Sequence, residues 1–254
     1  MANTQTGTSG GTSATRGSTT SGMQAGMGGQ IPDTTYKAKG LPAYLVLDTS
    51  TSMHEYEDLL NTTLVDIYDT LFGTPQISEF IHLSVISFNT TAVVVTPMTD
   101  IEELASLPKV TCNGTTNLAP MFRLLRSQIT DDVQRLSDDG IMVLRPVVFV
   151  LTDGEPTDGN NSIWESELDR VQDMGWKQHP NLITYGFGAA REDVLKRIAT
   201  VACYLAEDDA RDNAEAVSSA LTSLLNSLVA SAGTRQLQVP ESVKGYKTVP
   251  LDFV

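Results

Sequence analysis

LVLDTSTSM (residues 45–53) begins as an apolar run and ends in one carboxylate, Asp48, followed by four small hydroxyl side chains. With its upstream neighbours it forms AYLVLDT (43–49), a near-continuous apolar run of strand length, the pattern of a central strand covered on both faces. RPVVFVLTD (145–153) repeats that pattern and also ends in an aspartate, Asp153. FIHLSVISF (80–88), AVVVT (92–96), NLITYGFG (181–188) and VACYLAE (201–207) read as four further strands. Only Asn89 to Thr91 separate the first two, which predicts an antiparallel hairpin. Met53, Tyr56, Leu60, Leu64, Ile67, Tyr68 and Leu71 recur every three or four residues and predict an amphipathic helix closed by Gly73 and Pro75. Residues 119–130, 162–178, 191–200 and 213–231 give further helices. Strands alternating with such helices predict an α/β fold: a doubly wound, mostly parallel six-stranded sheet with one antiparallel edge strand and helices on both faces.

The alternation occupies residues 41–232, read as one domain. Residues 1–40 are rich in Gly, Ser, Thr and Ala without hydrophobic periodicity, the composition of a disordered tail. Residues 233–254 contain Val239, Val243, Tyr246, Val249, Leu251, Phe253 and Val254, too apolar for a free tail; they dock on the domain or on a partner. A chain of 254 residues that is 41% hydrophobic can bury a core without staples. Its 31 acidic against 17 basic residues give a net charge of −14, which excludes nucleic acid and acidic membrane surfaces as partners of its average surface. Cys112 and Cys203 lie far apart and read as free thiols, suited to a reducing compartment. No basic segment followed by an apolar one opens the chain, and no run of about 18 apolar residues exists, so a cytoplasmic location is expected.

In doubly wound sheets ligands bind beyond the carboxyl ends of the strands. Asp48 and Asp153 end the two strongest strand signals, and two carboxylates meeting there repel unless a cation lies between them. Ser50 and Ser52 add hydroxyls, giving hard oxygen donors without His or Cys, a set that favours Mg²⁺, Mn²⁺ or Ca²⁺ over zinc. CNGTTNLAPMF (112–122), with a glycine turn, Thr115 and Thr116 ahead of a helix, is the source expected for a fifth donor.

DTSTS (48–52) resembles the DxSxS motif of von Willebrand factor A domains. GTTNLAPMF (114–122) resembles their loop threonine before a helix, and VFVLTDGEPTD (148–158) their second aspartate. The order agrees over roughly 41–230, and LTDGEPTD is most similar to the bacterial tellurite-resistance, TerY-type branch. The resemblance implies a metal-ion-dependent adhesion site. Ser50, Ser52 and Thr116, preferred over Thr115, would offer hydroxyls to the metal, with Asp48 and Asp153 binding it directly or through water. It further implies a non-enzymatic protein-binding module whose partner presents an Asp or Glu to the cation, in a bacterial stress-response or signalling system with kinase and phosphatase partners.

Other readings of these residues are open. Ser50 or Ser52 can cap the following helix. Asp158 reads as a solvated or supporting group, Glu55, Glu57 and Asp58 as an exposed acidic helix start, and Trp164 and Trp176 as one helix face. An aspartic protease needs an all-β frame, a serine hydrolase an elbow such as GxSxG, and neither that nor a GxxxxGK[ST] phosphate loop occurs. A metal-dependent hydrolase or phosphatase and a structural component of a large assembly are the alternatives to a binding module.

Overall fold

Eleven residues, Ala38–Asp48, form β1, the strand on which the sheet is organised. A computed structural model describes residues 38–98, 109–158, 161–207 and 213–251. The tail expected over 1–40 lies, up to residue 37, outside the described residues, as do Phe253 and Val254. β1 starts before the expected boundary at Leu41 because Ala38–Gly40 pair with a short strand, β4 (Ile141–Val143).

β2 (Ile81–Phe88) and β5 (Val147–Thr152) flank β1 in parallel, in a register that sets Leu47 opposite Ser87 on one side and Leu151 on the other. β3 (Ala92–Thr96) pairs antiparallel with β2, the expected hairpin. β6 (Asn181–Gly186) and β7 (Ala202–Ala206) extend the sheet in parallel, and β8 (Tyr246–Thr248) closes it antiparallel to β7. The order is β3-β2-β1-β5-β6-β7-β8, with β4 on β1. The mostly parallel sheet and its hairpin match expectation. Among the described residues the sheet has eight strands rather than six, because β4 and β8 are three residues each and too short to show a period.

Successive side chains of β1 point to opposite faces and seed two cores. Leu41, Ala43, Leu45 and Leu47 pack with α1 (Glu57–Phe72) and α6 (Asn213–Thr234); Tyr44 and Val46 pack with α3 (Leu118–Asp138) and α4 (Asn161–Gln172). α2 (Pro75–Ser78) and α5 (Glu192–Ile198) are short connectors. α6 is long and apolar enough by composition to cross a membrane, but Val217, Leu221, Leu224 and Leu228 are buried in the core.

The helix expected from Met53 begins instead as a 3-10 turn, Thr51–Tyr56, before α1. The helix expected over 162–178 stops at Gln172. There Asp173 Oδ1 accepts the Gly175 N–H at 2.8 Å and its carbonyl accepts the Trp176 N–H at 2.9 Å, turning the chain. Trp164 therefore lies on α4, buried beside Phe122, and Trp176 lies beyond its end. After α6 the chain folds back onto β7 and buries Val243, Tyr246 and Val249.

Candidate metal centre

Strand order reverses at β1: β2 and β3 lie to one side, β5, β6 and β7 to the other. The crevice beyond β1 and β5 is thus the switch point of the sheet, and Asp48 and the Thr152–Asp153 turn both reach it.

The loop after β1 is clamped by backbone. Thr49 donates its N–H to the Phe88 carbonyl at 2.8 Å and accepts the Asn113 N–H at 2.8 Å; Thr51 donates its N–H and hydroxyl to the Gly114 carbonyl at 3.1 and 2.9 Å. Gly114 sits at φ 76, and a Cβ there would stand 2.5 Å from Thr90 Oγ1, so only glycine lets this loop lie against the hairpin turn. Asn117 ties the same loop to the hairpin, its N–H donating to the Asn89 carbonyl at 3.0 Å and its Nδ2 to the Thr90 carbonyl at 3.1 Å.

Within this frame the predicted side chains meet. Asp48 Oδ1 accepts the Ser50 N–H at 2.9 Å, and Asp48 Oδ2 accepts the Thr152 hydroxyl at 2.6 Å. Ser50 Oγ and Ser52 Oγ are 3.1 Å apart, and the Ser52 hydroxyl donates to Asp153 Oδ1 at 2.9 Å. A Cβ on Gly154 would lie 3.2 Å from Thr116 Oγ1, so the buried Thr116 hydroxyl abuts the Asp153–Gly154 turn. Thr115 is exposed and shares its hydroxyl with Thr90 Oγ1 at 3.1 Å instead. All five residues therefore gather on three loops at one end of the sheet. Ser50 occupies the cap position of the 3-10 turn, yet its hydroxyl makes no capping bond, which leaves it to the crevice.

Asp48 is fully buried and Asp153 is 7% exposed. Burial pushes the Asp48 carboxyl up to about 6 against the hydrogen bonds from Thr152 and Ser50, and burial, with Glu55 adding repulsion, raises that of Asp153. Neither carboxylate joins any ion pair among the described residues. Two buried carboxylates without a counter-charge, bridged by hydroxyls that can turn their lone pairs inward, fit a hard divalent cation. Among the described residues no group of three or more His, Cys, Asp or Glu is placed to hold a metal; the donor set depends on Ser50, Ser52 and Thr116.

Thr152 and the supporting role of Glu57 escape a reading of the sequence, whereas Asp158 takes the supporting one of its two readings. Thr152 orients Asp48. Asp158 is not solvated: its two carboxylate oxygens accept the Leu118 and Ala119 N–H groups, each at 2.7 Å, capping α3 directly after Thr116. Glu57 is half-buried rather than exposed, and accepts the Cys112 N–H at 2.7 Å. The capping pair carries the one faint signal, an acidic residue in a turn-rich GEPTD segment.

Sequence comparison matches residues 44–219 to the von Willebrand factor type A domain. Among curated proteins none matches the chain. Among solved structures it is similar to proximal thread matrix protein 1 from the mussel byssus (TM-score 0.53, 15% identity, 76% of this chain and 48% of that one). It is also similar to a von Willebrand factor type A protein from Catenulispora acidiphila (0.51, 15%, 75% and 43%) and to the pilus adhesin SpaC of Lactobacillus rhamnosus GG (0.55, 14%, 76% and 30%). At these identities the likeness is one of fold, and the chain spans less than half the length of each of these structures. Domains of this type commonly bind proteins through a metal-ion-dependent adhesion site that takes a divalent metal, and are generally not enzymes. With its match over most of the chain and the mostly parallel sheet described above, the protein belongs to the von Willebrand factor type A domain family.

Proposed function

We propose that the chain is a divalent-cation-dependent protein-binding module in which Ser50, Ser52 and Thr116 supply hydroxyls, and Asp48 and Asp153 carboxylates, to one cation. The observation that carries this reading is the continuous contact Ser50–Ser52–Asp153, joined through Asp48 to Thr152, around two buried carboxylates that have no counter-charge among the described residues. A bound cation held by few charged donors supplies an under-neutralised position that an Asp or Glu of a partner protein completes. Ser52 is the exposed member of the set and marks the side from which such a group enters. Mg²⁺ is the expected ion, with Mn²⁺ or Ca²⁺ as alternatives, because every donor is oxygen.

For its setting we propose, from the similarity of LTDGEPTD to the TerY-type branch, a bacterial stress-response or signalling system with kinase and phosphatase partners. The test is affinity capture from cell extract with Mg²⁺ and with EDTA, beside melting curves of the same preparations. Capture lost in EDTA, and a cation-dependent rise in melting temperature lost in Asp48→Asn, Ser50→Ala and Thr116→Ala, are the expected outcomes. Chelator-insensitive capture retained by all three variants would remove the basis of the proposal.

A further inference from the structure

The face between α3 and α4 carries a cavity of about 300 Å³ whose lining includes Arg123, Arg126, Ser127, Asp131, Glu167 and Arg170. Arg123, Arg126 and Ser127 share one helical face. The cavity starts five residues past Leu118, about 8 Å along the helix from the Thr116 loop.

Its charges do not balance. Glu167 serves two guanidinium groups, accepting from Arg123 Nη2 at 3.0 Å and Nε at 3.3 Å, and from Arg170 Nη1 at 3.3 Å. Arg126 forms no ion pair among the described residues; its guanidinium lies 4.4 Å from the centre of the Trp176 ring, and its Nη1 is buried without a hydrogen-bond partner. An aromatic face orients this cation but accepts none of its in-plane N–H groups. Three guanidinium groups face two carboxylates, Glu167 and Asp131, on a chain whose net charge is −14.

We propose that this cavity binds a phosphate-type oxyanion. Each guanidinium has five N–H donors in a planar fork. Glu167 takes two from Arg123 and one from Arg170, so donors remain in excess over acceptors, and the net positive charge favours an anion. A tetrahedral group with several acceptor oxygens matches that excess better than a single carboxylate. The phosphoryl group comes either from a small phosphate ester or from a phosphorylated side chain of a peptide. The site is separate from Asp48 and Asp153 and does not rest on the proposed metal.

The experiment titrates the full-length protein in EDTA, which removes anion capture through a metal, with inorganic phosphate, phosphoserine, and one serine peptide in phosphorylated and plain forms. Binding is read by ³¹P NMR and calorimetry. Saturable binding of the phosphorylated ligands only, weakened roughly ten- to a hundredfold by Arg126→Gln and by Arg170→Gln, is expected. Arg170 is exposed, so its variant keeps the fold, and near-UV circular dichroism checks both. Tighter binding of the phosphopeptide than of phosphoserine identifies a side chain as the source, and equal binding identifies a small ester. Absence of saturable binding, or binding unchanged in both natively folded variants, would overturn the proposal.

Discussion

Thr152 places its hydroxyl 2.6 Å from Asp48 Oδ2 while Ser50 holds Oδ1 through its N–H, so both oxygens of the buried carboxylate are oriented before any ligand arrives. Groups that orient a metal ligand contribute to affinity although they do not touch the ion. Thr152→Val, which keeps the branched strand shape and removes the hydroxyl, is expected to weaken Mg²⁺ binding about ten- to a hundredfold, measured by calorimetry. An unchanged affinity would mean that Thr152 only fills space. The thiols give a second expectation at this scale. Burial, with Glu57 and Asp48 adding repulsion, pushes Cys112 up to about 12, and burial also raises Cys203. Since the thiolate is the nucleophile, a raised value leaves both groups protonated at pH 8 and slow to react. Native protein treated with iodoacetamide at pH 8 should therefore show no added mass, and protein in guanidinium chloride should add two carbamidomethyl groups. Fast labelling of the folded protein would contradict the burial.

Asp158 acts on an element: it caps α3 from the β5–α4 loop and so locks the start of that helix, and Thr116 before it, to the loop that bears Asp153. Thr157 reinforces the join, its N–H donating to the Thr116 carbonyl at 2.8 Å. Asp158→Ala is expected to cost about 1–2 kcal/mol in urea denaturation, the range of a lost cap, and to weaken cation binding as well. A stability loss with no change in cation affinity would separate the cap from the site. This contact also shows what the sequence could convey. Asp48, Ser50, Ser52 and Asp153 were legible because they adjoin one another or end apolar runs of strand length, and α1 was legible because its buried positions keep the helical period. The contacts of Glu57 and Thr152 were not, and Asp158 showed only a choice between a solvated and a supporting role, since their partners lie 39, 40, 55 and 104 positions away and follow no period. β4 and β8 were hidden by their length, and the end of α4 by a turn that Asp173 makes with its own neighbours.

At the scale of the whole molecule, the two ends of the sheet are finished by different means. One edge is the β2–β3 hairpin, whose turn also supports the Thr116 loop. The other would be the exposed side of β7, a template for unwanted pairing, had the chain after α6 not covered it with β8. Tyr246 anchors that cover: its hydroxyl donates to the Ala216 carbonyl at 2.9 Å, and its ring packs edge-on to Tyr185 with centroids 6.0 Å apart. Tyr246→Ala leaves a cavity between α6 and the sheet and exposes the β7 edge. The expected cost is about 3 kcal/mol, seen as a fall in melting temperature of roughly 6–12 °C for a domain of this size. The proposed cation site lies on β1 and β5, two strands away from β7. Binding to the folded state alone adds about 2.7 kcal/mol at a hundredfold excess over Kd, whatever the starting stability. Melting curves of Tyr246→Ala with Mg²⁺ and with EDTA should therefore start lower yet keep the wild-type increment in stability. Loss of that increment together with the stability would show that the C-terminal cover and the carboxylate crevice form one cooperative unit.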